Sequence, residues 1–148
     1  MPEVISNTSC LLALSNIGFL DILHNIYGHI LITNDVAEEF GEELPSWIAV
    51  TPVKDIAKLE LINAILDPGE ASSIALALEK SSPLLILDDG KARRLANNLN
   101  IKLTGTLGIL VKAYKAKIIP DLQGTLFLLR QRGFYISKSV EKEIQSLV

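Results

Sequence analysis

The run Leu84-Leu85-Ile86-Leu87, closed by Asp88-Asp89, restricts the possible folds more than any other segment. Four aliphatic residues in a row leave a strand no polar face to turn toward water, and the run is too short for a buried helix. Such a strand is buried on both sides, the condition of a parallel sheet with helices on each face. Shorter runs of the same kind stand at Val4–Ser6, Ile30–Thr33 and Ile101–Leu103, with a brief strand at Trp47–Val50. Helical spacing fills the intervals, so the sequence predicts an α/β fold of three layers, α/β/α, around a mostly parallel central sheet.

The helices are punctuated by their chemistry. Asn7-Thr8-Ser9 offers three N-cap residues before a helix over Cys10–Ile17, and Gly18 precedes a second over Leu20–Tyr27 that Gly28 ends. Asp35-Val36-Ala37-Glu38 has the form of a capping box, with Gly41 as the stop. Ile56–Leu66 is helical by spacing. Asp67-Pro68-Gly69-Glu70 is the clearest start: Asp67 suits the cap, Pro68 the first position and Glu70 the third, with the helix running to Lys80. Helices over Lys91–Asn98 and Thr106–Lys115 follow. Leu122–Arg132 and Lys138–Leu147 form a C-terminal helical extension (122–148) of one domain spanning 1–148.

Composition narrows the setting. The 148 residues suffice for one domain with one substantial core, which must be aliphatic because only 5% are aromatic. No apolar run approaches the roughly 18–20 residues that span a bilayer. No basic segment followed by an apolar stretch opens the chain, and the single cysteine, Cys10, has no internal partner. A cytoplasmic protein without a membrane segment is expected. Net charge is divided unevenly: residues 1–90 hold three basic and fourteen acidic residues, a balance of −11, whereas 91–148 hold eleven and three, a balance of +8. An acidic site beside a basic surface suits metal-dependent work on a phosphate chain, although two solvated faces or a complementary dimer would give the same counts.

In open α/β sheets ligands bind beyond the carboxyl ends of the strands. Asn7, the pair Asp88–Asp89, and Thr104-Gly105-Thr106 all fall there, while Glu39 and Glu70 lie on helices. Each has an ordinary structural use. Asn7 and Thr106 suit helix caps, Glu70 a capping box, Glu39 a solvated helix face, and Asp88-Asp89-Gly90 a turn. His24 and His29 lack partners at metal-ligand spacing.

The order of these segments carries a resemblance. Val4-Ile5-Ser6-Asn7-Thr8-Ser9, Val36-Ala37-Glu38-Glu39-Phe40, Gly69-Glu70-Ala71-Ser72-Ser73-Ile74-Ala75 and Leu84-Leu85-Ile86-Leu87-Asp88-Asp89 resemble, in sequence, the four acidic segments of PIN-domain proteins. Gly-Glu-Ala, Leu-Asp-Asp-x-x-Ala-Arg and Thr-Gly-Thr-Leu-Gly are similar to a subgroup akin to the toxin subunits of toxin–antitoxin pairs. The resemblance covers about Val4 to Pro120. It implies an endoribonuclease using Mg²⁺ or Mn²⁺, with Glu39, Glu70 and Asp89 as ligands, Asp88 sharing the role, and Asn7 at the first ligand position. Thr8, Ser9 and Thr106 would orient water or phosphate, and Lys91, Arg93 and Arg94 would contact RNA. A small antitoxin and a homodimer are the implied partners.

Asn7 is the departure, since the family pattern has Asp there. An amide oxygen can coordinate a hard cation but brings no charge, so a catalytically degenerate RNA- or protein-binding module is the competing expectation. A phosphoacceptor receiver also gathers acids at strand ends, but it carries its acidic pair after the first strand, where this chain has Asn7.

Overall fold

A computed structural model describes residues 2–147. The termini of the expected domain, Met1 and Val148, lie outside the described residues. Five strands form one sheet: β1 (Val4–Ser6), β2 (Ile30–Ile32), β3 (Ile48–Val50), β4 (Leu84–Ile86) and β5 (Lys102–Thr104). Their spatial order is β3-β2-β1-β4-β5, and every pairing is parallel. The chain builds outward from β1 to one edge, then crosses back through α4 (Ile56–Asn63) and α5 (Pro68–Leu78) to place β4 on the other side. The strand order therefore reverses between β1 and β4, the position at which doubly wound sheets open a crevice.

Alternation along the strands divides the core. Val4, Ile30, Ile32, Leu84 and Ile86 join a cluster with helices α1 (Thr8–Asn16), α2 (Asp21–Tyr27), α3 (Asn34–Phe40) and α7 (Thr106–Lys115). Ile5, Leu85 and Leu87 point to the opposite face, against α4, α5 and α6 (Gly90–Asn98). Two covered faces make the three layers that the run Leu84–Leu87 requires. The last helices, α8 (Leu122–Gln131) and α9 (Lys138–Leu147), contribute Leu122, Leu126, Leu129 and Ile144 to the first cluster. They complete that core rather than hang from it.

The cap of α5 matches its sequence: Asp67 accepts from the Glu70 N–H at 3.1 Å, with Pro68 at the first position. At α3 the expectation of an Asp35 capping box is corrected. The cap is Thr33, whose hydroxyl accepts from the Val36 N–H at 3.2 Å, and Asp35 lies inside the helix. Thr33 also shares a 2.7 Å hydrogen bond with Ser72 of α5, a contact that fixes its position from outside the local sequence. Elsewhere the ends shift: α1 begins at Thr8 rather than Cys10, and α4 stops at Asn63 rather than Leu66.

Candidate functional site

Asn7 follows β1 and holds the N-cap position of α1 with an extended backbone. Its N–H donates to the Ile86 carbonyl at 3.0 Å, which pins it at the crevice between β1 and β4. Its side chain makes no capping bond. Although Asn7 is only 4% exposed, its Oδ1 is buried without a hydrogen-bond partner among the described residues. An acceptor left so typically costs about 1–3 kcal/mol. Capping therefore does not explain this asparagine.

The next residue reaches across to α3. The Thr8 hydroxyl donates to Glu39 Oε1 in a short hydrogen bond. The Glu39 carboxyl rests on the first turn of α5, where a Cβ on Gly69 would run into Oε1. Glycine leaves that space to the carboxyl, which a larger residue would displace, and the helix N-terminus favours the negative charge. One turn position later, Glu70 has its pKa pushed up to about 7, first by burial and then by the charges of Asp67 and Asp89. Burial penalises the carboxylate, and the neighbouring acids repel it.

At the end of β4 the two aspartates part. Asp88 accepts from the Thr106 N–H at 2.8 Å through Oδ1 and from the Thr106 hydroxyl at 2.6 Å through Oδ2. Gly105 admits this contact, since a Cβ there would meet Asp88 Oδ1 at 2.8 Å. Asp89 caps α6 through Oδ2, which accepts from the Ala92 N–H at 3.0 Å, while its other oxygen has no hydrogen bond among the described residues. Arg93 donates to the Leu87 carbonyl at 2.5 Å. Lys91 and Arg94 are exposed, and among the described residues neither is in an ion pair.

The crevice thus joins Thr8, next to Asn7, with Glu39 by direct contact, and Asp88 with Thr106. Glu70 feels Asp89 through its charge. Ser9 is exposed one residue further along α1 and lines a different hollow. Among the described residues, no three His, Cys, Asp or Glu side chains converge into a ready-made cage. The donors at hand are oxygens, and the buried, unpartnered Asn7 Oδ1 is an acceptor that a hard cation would satisfy. Residues of this kind fit a divalent ion that keeps several waters. Cys10 lies beside Thr106, but burial raises its thiol pKa to about 12 and leaves it inert. His24 is likewise structural: its ring stacks on Trp47 at 5.2 Å and its Nδ1 donates to the Gly28 carbonyl.

Two features escaped the sequence. Gly69 reads there as punctuation of α5, and nothing local announces that Glu39, thirty residues earlier, needs its empty space. Beyond Asp88 and Asp89 lies a cavity of about 730 Å³ whose walls include Arg93, Gly105, Phe134 and Tyr135. The aromatic pair comes from the turn after α8, outside every acidic segment.

A wholly parallel sheet of order β3-β2-β1-β4-β5 with helices on both faces defines a doubly wound α/β/α domain. The particular family is the PIN domain, to which the chain belongs: a family model of that description matches residues 3–148. No curated protein matches the chain. PIN domains generally depend on divalent metal and act on RNA, and among the described residues no single helix is long and apolar enough to cross a membrane.

Proposed function

We propose that this chain is a metal-dependent endoribonuclease of PIN type, the toxin subunit of a toxin–antitoxin pair. The observation that carries this reading is the unpartnered Asn7 Oδ1 at the crevice, beside the Thr8–Glu39 contact. A structural asparagine would have used that oxygen to cap α1; here it is buried and kept open. Glu39, Glu70, Asp89 and Asn7 are the residues to hold Mg²⁺ or Mn²⁺, with Asp88 in support. When bound, such an ion supplies Lewis acidity for activating water and stabilising a leaving oxygen.

The chain's own groups prepare that chemistry. Thr8 fixes one oxygen of Glu39 and leaves the other free. Thr106 clamps both oxygens of Asp88 and so holds the ends of β4 and β5 together. Without a metal, burial and the charges of Asp67 and Asp89 push the Glu70 pKa up to about 7, and a bound cation would favour its carboxylate form. Thr106 acts through Asp88, Ser9 stands outside the crevice beside a separate hollow, and Lys91, Arg93 and Arg94 supply positive charge for RNA phosphates. Leu61, 74% exposed on α4, and Ile65, exposed in the turn just past its end, support a C₂ homodimer through that surface. A cytoplasmic location follows from this role.

The test is cleavage of single-stranded RNA with Mn²⁺ or Mg²⁺ by parent and Asp89→Asn protein. Cutting by the parent and its loss, by about 10²-fold or more, in the variant is the expected result. Equal cutting by both would mean that Asp89 has no part in it. The neutral Asn7 favours one other reading, a degenerate module that binds RNA or protein without cutting. It requires an inert parent at every metal concentration.

A further inference from the structure

The cavity beyond the acid pair has features that metal binding does not use. Tyr135 is 82% exposed, the most exposed large apolar side chain among the described residues, and it stands at the wall of the 730 Å³ cavity. Half-buried Phe134, Leu107 and Val140 form an apolar lining, while Asp88, Asp89 and Arg93 give it a polar end. The aromatic pair is held firmly at both sides. At the end of α8 the Phe134 N–H donates to the Leu129 carbonyl and the Gly133 N–H to the Arg130 carbonyl, both at 3.0 Å. Gly133 has φ +90°, a left-handed turn that places the following residues. On the other side Arg130 grips Glu141 of α9 through two bonds of 3.1 and 2.7 Å.

Phe134 also borders a smaller hollow of about 170 Å³ with Ser9 and Arg132. Arg93 and Tyr135 line the larger cavity and Arg132 the smaller one, with Phe134 common to both. Among the described residues neither arginine is in an ion pair. A single-stranded polynucleotide offers phosphates to such cations and flat bases to such rings, and stacking on aromatic side chains tolerates any base. A folded core has no use for a tyrosine so exposed.

We propose that this cavity is a nucleobase subsite, in which a base of single-stranded RNA stacks on Tyr135 while Arg93 and Arg132 take flanking phosphates. The subsite deepens the ribonuclease reading and rests on it. It positions the strand beside the acid pair and selects unpaired RNA, since a base inside a duplex has no free face.

The experiment measures binding of single-stranded RNA carrying 2-aminopurine, with EDTA present to prevent cleavage, to parent, Tyr135→Phe and Tyr135→Ala protein. The base should be quenched on binding to parent and to Tyr135→Phe. Tyr135→Ala should lose the quenching and bind about 5- to 100-fold more weakly, the range expected for one stacked base. Unaltered binding and quenching in Tyr135→Ala, with a parent that binds, overturns the subsite and leaves the ribonuclease reading standing. A parent that neither binds RNA nor cuts it with Mn²⁺ overturns both. Unaltered RNA binding with loss of self-association in sedimentation would assign the face to a second copy of the chain and likewise overturn the subsite.

Discussion

Gly69 shows how small a group the site turns on. It stands in the first turn of α5 with an ordinary helical backbone, so alanine there would by itself favour the helix by about 0.5–1 kcal/mol. The added Cβ, however, would strike the Glu39 carboxyl. Gly69→Ala is therefore expected to bind Mn²⁺ at least several-fold more weakly in calorimetric titration while remaining folded by circular dichroism. Unchanged affinity would remove Glu39 from the metal's surroundings. Glu70 is tested by pH. Its folded pKa of about 7 lies above the ordinary 4.5, so the folded protein holds the extra proton across that window. Stability is then lost as pH rises through it. In metal-free denaturation, Glu70→Gln should match the parent near pH 5 and exceed it near pH 8. A variant no more stable than the parent at pH 8 would mean that burial does not strain this carboxylate.

At the scale of elements, β4 does most to position the site, because it carries both aspartates and borders the switch point. Leu85 is fully buried at its centre, with β1 beside it in register through Ile5. Leu85→Ala should lower unfolding free energy by about 2–5 kcal/mol in urea titration, the usual result of a cavity in such a core. A loss below about 1 kcal/mol would contradict a strand buried on both faces. This strand was legible because its four aliphatic residues allow one environment only. The start of α5 was legible as well, since Asp67, Pro68 and Glu70 each act within one turn. The cap of α3 was not. Thr33 and Asp35 are both good capping residues, and the choice between them is made by Ser72, thirty-nine residues away. Asn7 misled in the same manner: its type and position suit a cap, yet its oxygen caps nothing.

Across the whole molecule, the uneven charge of the sequence survives folding in an informative form. The three ion pairs among the described residues, Lys58–Asp55, Lys80–Glu3 and Arg130–Glu141, each lie within the acidic or the basic half. Among the described residues no ion pair joins the two halves. Sequence order revealed the family's acidic segments, but not the strand order β3-β2-β1-β4-β5 that sets Asn7 beside the end of β4. Nor did it reveal the aromatic wall at Tyr135, which a turn forty-six residues beyond Asp89 brings to the acid pair. The most direct measurement is a Mn²⁺ titration of parent and Asn7→Asp protein by calorimetry. A carboxylate in place of the unpartnered amide should raise affinity about tenfold or more, because hard cations favour charged oxygen. Equal affinity in the two proteins would contradict a metal site at the β1–β4 crevice.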